Sequence, residues 1–216
     1  MTVAPRSPLF TPLVLAPGAP LAPLTTPGFV PRGSVLVREG EILRRVVVVR
    51  SGLLMQQRQG DGEQVCVGVA GVGDGVVLLP SSGHFPSPFT LTALVDTEVE
   101  WLNVTALRDC LLRHQNLSMW LIRVVVERTR DLRRTVAFLH RAASAQEKVF
   151  EAFKLVGTVG ARGLEIDPRI SQADLAAICG LSRSEVSRQV GELVKLGALE
   201  RTPAGLRVPL PAAEVA

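Results

Sequence analysis

Between Pro31 and Trp101 the chain alternates short β-branched runs with glycine. Ser34 to Val37, Val46 to Arg50, Gly52 to Gln56, Gln64 to Val69, Val76 to Leu79, Thr90 to Leu94 and Val99 to Leu102 read as strands, because such side chains suit a pleated, half-buried surface. Gly40, Gly52, Gly60-Asp61-Gly62, Gly71, Gly73-Asp74-Gly75 and Ser82-Gly83 supply the turns. Many short strands at this spacing predict a small antiparallel sandwich or jelly roll, with residues 57–64 forming a hairpin tip. The period then changes. From Val104 to Ala142 there is neither Gly nor Pro, which predicts one long helix. Leu121, Val125, Arg128, Leu132, Thr135, Leu139 and Ala142 step by four and three, a seam suited to a partner helix.

Ser144 to Val156 predicts another helix, with Val149, Phe150, Phe153 and Val156 on one face. Gly157 to Gly163 breaks the pattern, and Leu164 to Ile166 is a short extended piece before Pro168. Two helix starts and one stop follow. Ser171 caps a first helix with Asp174 three residues on, and Gly180 ends it. Ser182 with Glu185 predicts a second capping box. Two short helices about a glycine turn make a helix-turn-helix. Leu175, Ile178, Leu181, Val186, Val190 and Leu193 can close its core, which leaves Arg183, Ser184, Ser187 and Arg188 on the opposite face. Arginine can bond guanine O6 and N7 with two donors, and serine can bond a base or a phosphate. The expected DNA-binding residues are Arg183, Ser184, Ser187 and Arg188, with the capping hydroxyls Ser171 and Ser182. Lys195 and Gly197 end the second helix, and two short strands flanking Thr202-Pro203-Ala204-Gly205 form a wing for the phosphate backbone.

Charge alters this picture in one respect. The formal net charge is +4, yet from Ala142 onward nine Lys or Arg face nine Asp or Glu. Affinity for a polyanion must therefore come from where the basic groups stand. Up to and including Pro31 there are eight prolines, which predicts a flexible or loosely docked arm over residues 1–30. No signal pattern or membrane-length apolar run occurs, so a cytoplasmic location and no membrane partner are expected. Cys66, Cys110 and Cys179 form no CxxC pair and read as reduced, mostly buried thiols. No metal site is expected. An enzyme is not expected either: there is no nucleophile elbow, HExxH or Walker loop, and Gly71-Val72-Gly73-Asp74-Gly75 lacks phosphate-loop spacing.

With these residues in hand, the chain from about 30 to 209 resembles the cyclic-AMP receptor protein and fumarate-nitrate reduction regulator (CRP/FNR) superfamily. The resemblance rests most on Gly180-Leu181-Ser182-Arg183-Ser184-Glu185-Val186-Ser187-Arg188, then on Val48-Val49-Arg50-Ser51-Gly52 and Gly73-Asp74. It implies an α+β fold: a Pro-rich arm (1–30), a β-roll sensor-like domain (31–103), a long dimerisation helix (104–141) and a winged helix-turn-helix domain (142–216). It implies base or phosphate contacts for Arg183, Ser187 and Arg188, a homodimer through the 104–141 helix, a palindromic site on double-stranded DNA, and RNA polymerase as a further partner. Many members carry a glutamate where this chain has Ser184, so half-site preference does not transfer. Members that bind cyclic nucleotides have a Gly-Glu-Leu segment and an Arg-Ser-Ala/Thr segment. Here the corresponding regions are Val76-Val77-Leu78-Leu79 and Ser87-Pro88-Phe89, and no arginine lies between Arg58 and Arg108. A buried phosphate without a cation loses its charge-assisted bonds, so control by cyclic AMP is not expected. The arm lacks the cysteine cluster of iron-sulfur members, and for haem only His84 is available in the sensor, a residue that reads as a loop histidine. The competing reading is a small-molecule or redox sensor that acts through protein contacts.

Overall fold

The computed structural model describes residues 14–16, 18–42, 45–60, 64–76, 86–119, 121–123, 126, 144–160, 162–203 and 205–209. Two four-stranded sheets form an antiparallel sandwich. One orders β1 (Thr25–Val30), β8 (Thr97–Asn103), β3 (Arg45–Ser51) and β6 (Gly75–Val76). The other orders β2 (Val35–Val37), β7 (Thr90–Ala93), β4 (Leu54–Gln59) and β5 (Gln64–Ala70). Val46 to Val49 are all buried because successive side chains of β3 point to opposite faces and both faces are covered. Val47 and Val49 meet Leu54, Leu91 and Val99 between the sheets, while Val46 and Val48 meet Leu102, Leu107, Val14 and Leu21 behind the first sheet.

The last contact sharpens the expectation of a flexible or loosely docked arm. From Val14 on, the described part of the Pro-rich stretch is docked: Leu21 is buried, Ala22–Leu24 form a 3₁₀ turn, and β1 pairs with β8 from Thr25↔Leu102 to Val30↔Thr97. Pro27 is tolerated within β1 because this is an edge strand. Most of the segment Val76 to Leu79 and the tip residues 61–63 lie outside the described residues, although Gln59↔Gln64 pairing sets the hairpin register.

The stretch after Val104 is also not one unbroken helix. Helix α1 runs Val104–Arg113, with Asn103 Oδ1 accepting from the Thr105 and Ala106 amides at 2.8 and 3.2 Å. His114 is extended, and helical backbone resumes over 115–119 and 121–123. The break is compensated locally, since Ser118 Oγ donates to the Leu111 carbonyl at 2.7 Å, one of the carbonyls a helix end leaves unpaired. It also lets Leu117 and Leu121 pack on the same cluster as Leu107. Leu121 therefore packs against its own sandwich. Among the described residues of this stretch, the large apolar side chains left exposed beyond the break are Met119, Ile122 and Val126, at 56%, 55% and 44%. Val125 and the seam positions from Arg128 to Ala142 lie outside the described residues.

Helix α2 (Ala145–Val156) starts on a Ser144–Glu147 capping box and buries Val149, Ala152, Phe153 and Val156. A third antiparallel sheet follows, ordered β11 (Glu200–Thr202), β12 (Gly205–Pro209), β10 (Gly163–Ile166) and β9 (Thr158–Gly160). Between β10 and β11 come α3 (Gln172–Cys179) and α4 (Arg183–Lys195). The core of this unit is continuous with the sandwich: Leu53, Met55, Val69, Leu94 and Val95 belong to the same buried cluster as Phe153, Leu175 and Val190.

Candidate nucleic-acid interface

The helix-turn-helix is set by three local devices. Ser171 Oγ accepts from the Asp174 amide at 3.1 Å, and the Asp174 carboxylate accepts in return from the Ser171 amide at 2.8 Å. Gly180 closes α3 at φ +63°, a left-handed conformation that costs any side-chain-bearing residue more. Ser182 Oγ then accepts from the Glu185 amide at 3.2 Å to start α4. The reciprocal half of that second capping box does not form. The Glu185 carboxylate turns instead to Arg188, whose Nη2 donates at 2.7 Å, and to Gln189, whose Nε2 donates at 2.8 Å. A nearby guanidinium offers a charge-assisted bond that outcompetes a neutral amide.

The core of the motif is as the sequence predicts. Leu175, Val186, Val190 and Leu193 are buried, and Ile178 and Leu181 are half-buried against them. Helix α4 thus turns one face inward and leaves Arg183, Ser184, Ser187 and Arg188 exposed together, beginning at its N-terminus. Ser182 is exposed beside them, with its Oγ 3.0 Å from that of Ser184. Ser171 stands apart: it is half-buried, and its hydroxyl also donates to Asp174 at 2.7 Å, so its capping role occupies it.

Most basic groups here are paired. Arg188 meets Glu185, Lys195 Nζ meets Glu192 at 2.8 Å, and Arg207 Nη2 meets Glu200 at 2.5 Å. The Arg188 hydrogen bond, with help from Gln189, holds the Glu185 carboxyl below the usual carboxylate range, and the same bond raises Arg188. Lys195 lowers Glu192 in the same way. Arg183 on α4 and Arg201 on β11 are exposed and have no acidic partner among the described residues. Arg201 was not among the residues singled out from the sequence. Its signal was its place in the wing strand, one residue before the turn. The wing itself forms as a hairpin, Thr202↔Gly205 to Glu200↔Arg207.

The sandwich presents a different chemistry. Its described arginines sit at the periphery: Arg50 Nη2 meets Glu100 at 2.5 Å, Arg58 Nε meets Glu39 at 3.4 Å, Arg38 Nη1 lies 3.9 Å from Glu41, and exposed Arg45 lies over the Trp101 ring, 5.7 Å from its centroid. Buried Asp74 accepts from the Gly71 amide at 2.9 Å, so Gly71 to Gly75 is a tight turn and not a phosphate cradle. Ser87, in the segment corresponding to the family's phosphate-binding arginine and serine, spends its hydroxyl on the Phe89 carbonyl at 2.5 Å. The described residues therefore do not fit the anionic phosphate of a cyclic nucleotide. His84 and residues 77–79 lie outside the described residues. Among the described residues no three His, Cys, Asp or Glu side chains are grouped to hold a metal, no helix is long and apolar enough to cross a membrane, and none of the three cysteines is in a disulfide.

Comparison with known proteins agrees with this architecture. A family model for the cyclic nucleotide-binding domain matches residues 28–114, and one for the Crp-like helix-turn-helix domain matches residues 133–213. No curated protein matches the chain in sequence. Among solved structures, FixK2 from Bradyrhizobium japonicum is similar with a TM-score of 0.71 at 18% identity, covering 86% of this chain and 92% of its own. A variant of CooA from Carboxydothermus hydrogenoformans follows at 0.62 and 15%, covering 90% and 88%. The c-di-GMP responsive global regulator CLP of Xanthomonas campestris gives 0.62 and 16%, covering 88% and 96%. At such identities the structures establish the shared fold, and the two family models establish its halves in order along one chain. The chain belongs to the cyclic-AMP receptor protein and fumarate-nitrate reduction regulator superfamily of helix-turn-helix transcription regulators.

Proposed function

We propose that this protein is a dimeric, sequence-specific transcription regulator that reads a palindromic operator with α4 and is not controlled by cyclic AMP. The observation that carries the reading is the exposed Arg183–Ser184–Ser187–Arg188 face at the capped N-terminus of α4. Recognition helices place this end against base edges. Arg183 is the base-reading group, since no carboxylate competes for it. Arg188 must exchange Glu185 for DNA before it can bind. Ser182, Ser184 and Ser187 supply hydroxyls along the same edge, and Arg201 sets the wing on a phosphate.

Dimerisation runs through the stretch of residues 104–141, which keeps the division into arm, sensor-like domain, dimerisation segment and reader. Met119, Ile122 and Val126, spaced three and four apart, are the described apolar groups available to a second copy. The lack of control by cyclic AMP is supported by the peripheral placement of the sandwich's described arginines, which leaves no cation in its described interior. The protein works without catalysis in the cytoplasm, with RNA polymerase as its downstream partner.

The test is selection of a duplex from a random pool by the full-length protein, followed by affinity titration over a range of salt. Binding should weaken steeply with salt, as counterion release requires. Arg183→Ala should cost about 1–3 kcal/mol and relax specificity at one position of each half-site. Arg188→Ala should also weaken binding. Unchanged affinity and specificity in both variants would overturn the reading.

A further inference from the structure

The joint between the sandwich and the helix-turn-helix unit is apolar at its centre and ionic at one rim. At the centre, Leu53, Met55, Val69, Leu94 and Val95 share one buried cluster with the helix-turn-helix core, and α3 packs on β5. At the rim, Arg32 in the turn between β1 and β2 reaches across. Its Nη2 donates to Asp174 Oδ2 at 2.7 Å, and its Nη1 donates to the Arg169 carbonyl. Its own amide donates to Asp96 Oδ1 at 2.9 Å, and Arg169 Nη1 lies 3.9 Å from Asp96 Oδ2. Asp174 is also the capping carboxylate of α3, so the contact ends on the first helix of the DNA-reading motif.

Two features decide what this cluster does. Arg32 and Arg169 meet three carboxylates, those of Asp96, Asp167 and Asp174, so the rim carries net negative charge and repels a phosphate. A role in DNA contact is thereby disfavoured. The pairs are also partly exposed, and such pairs add little stability. What several directed bonds from one guanidinium do supply is a fixed angle. The face of α4 remains exposed in this arrangement, so the contact does not mask it.

We propose that Arg32 is a positioning residue whose contacts with Asp174, Arg169 and Asp96 latch the reader to the sandwich in one orientation, so that no effector is needed to set it. For its effect on DNA the latch rests on the function proposed above. Its effect on the joint does not, and the protein holds its own probe of that joint. Cys179 is half-buried at the end of α3 and packs, as Cys66 of β5 does, on the cluster that spans the joint; burial pushes its thiol up to about 12, so alkylation is slow and speeds up when the joint opens. Cys110 packs in the separate cluster behind the first sheet and serves as the internal control.

Iodoacetamide labelling of the full-length protein, read by mass spectrometry, should modify Cys179 about fivefold faster in Arg32→Ala than in the parent, as for a joint that opens locally. The Cys110 rate should stay the same, and Arg32→Ala combined with Asp174→Asn should be no faster than Arg32→Ala alone. An unchanged Cys179 rate, or equal acceleration at Cys110, overturns the latch. On a palindromic duplex selected by the parent, Arg32→Ala should lower affinity about tenfold, and a rise in affinity would overturn the latch as an orienting device. If the parent binds no duplex at all, the proposed function fails while the labelling still decides the latch.

Discussion

The sandwich and the reader use their charged residues on opposite plans. In the sandwich, most described arginines stand at the periphery matched with carboxylates, as Arg50 is with Glu100, and Arg45 lies over the Trp101 ring, while valine and leucine fill the space between the sheets. In the reader, burial of Val186, Val190 and Leu193 draws the apolar side of α4 inward and leaves two arginines and two serines facing solvent from its first turns. Binding a polyanion needs accessible positive groups gathered on a rigid element, and the reader presents them together on the first turns of one helix. The difference teaches that net charge is a poor guide here. The half of the chain with balanced charge is the half with an accessible cationic face.

The joint is the one place where the two plans merge, so the largest predicted effect lies there. Phe153 on α2 is fully buried in the cluster that spans sandwich and reader. Phe153→Ala should cost about 3–5 kcal/mol, by lost transfer energy and an unfilled cavity. Chemical denaturation of the parent should show one transition, because both halves share that core. Two well-separated transitions, with the variant shifting only one, would mean that the comparison divides two independent domains.

A smaller effect separates Arg183 and Arg201, two exposed cations of the reader that lack acidic partners among the described residues. Arg201→Ala should weaken binding to all duplexes alike and reduce the slope of affinity against salt by about one counterion. A loss of sequence preference instead would place Arg201 against a base and not on the backbone.

Much of the reader was legible in the sequence because its determinants are local. Ser171, Gly180 and Ser182 act on residues three to four positions away, and the apolar spacing from Leu175 to Leu193 fixes which face turns inward. What was not legible has the opposite origin. Docking of the stretch from Val14 to Val30 depends on β8, some seventy residues on, and proline content alone left it open. The break at His114 has neither Gly nor Pro to announce it; Ser118 and the packing of Leu117 make it affordable. The choice of Glu185 between its own cap and Arg188 is a competition between two neighbours at equal spacing. Sequence spacing cannot rank them, whereas formal charge does.

That competition yields the next prediction. Arg188 keeps the Glu185 carboxyl below its ordinary value, so the link is fully formed above that ordinary value and is lost only as pH falls through the lowered one. Between pH 7 and 5 the clamp therefore stays closed, and only substitution opens it. Glu185→Gln should free Arg188 and raise affinity for the operator about twofold, the scale of a helix-surface ion pair. Reduced affinity would show that Glu185 itself touches the DNA, and the description of α4 as a face with one free and one clamped arginine would have to change.

The smallest expected effect bears on the other half of the comparison. If the sandwich held cyclic AMP with a dissociation constant one hundredth of the nucleotide concentration, binding would stabilise the fold by about 2.7 kcal/mol. For a chain of this length that would raise the melting temperature by several degrees, at about 2–4 °C per kcal/mol. The described interior has no cation to meet a cyclic phosphate, so millimolar cyclic AMP should leave both the melting temperature and the affinity for the operator unmoved. A clear upward shift would require a cation to reach the phosphate from outside the sandwich, and the arginine-rich stretch of a second copy would be the place to look: six arginines stand between Leu117 and Arg141. In that event sensing would belong to the dimer, and the contrast between a closed sandwich and an open reader would hold for the single chain alone.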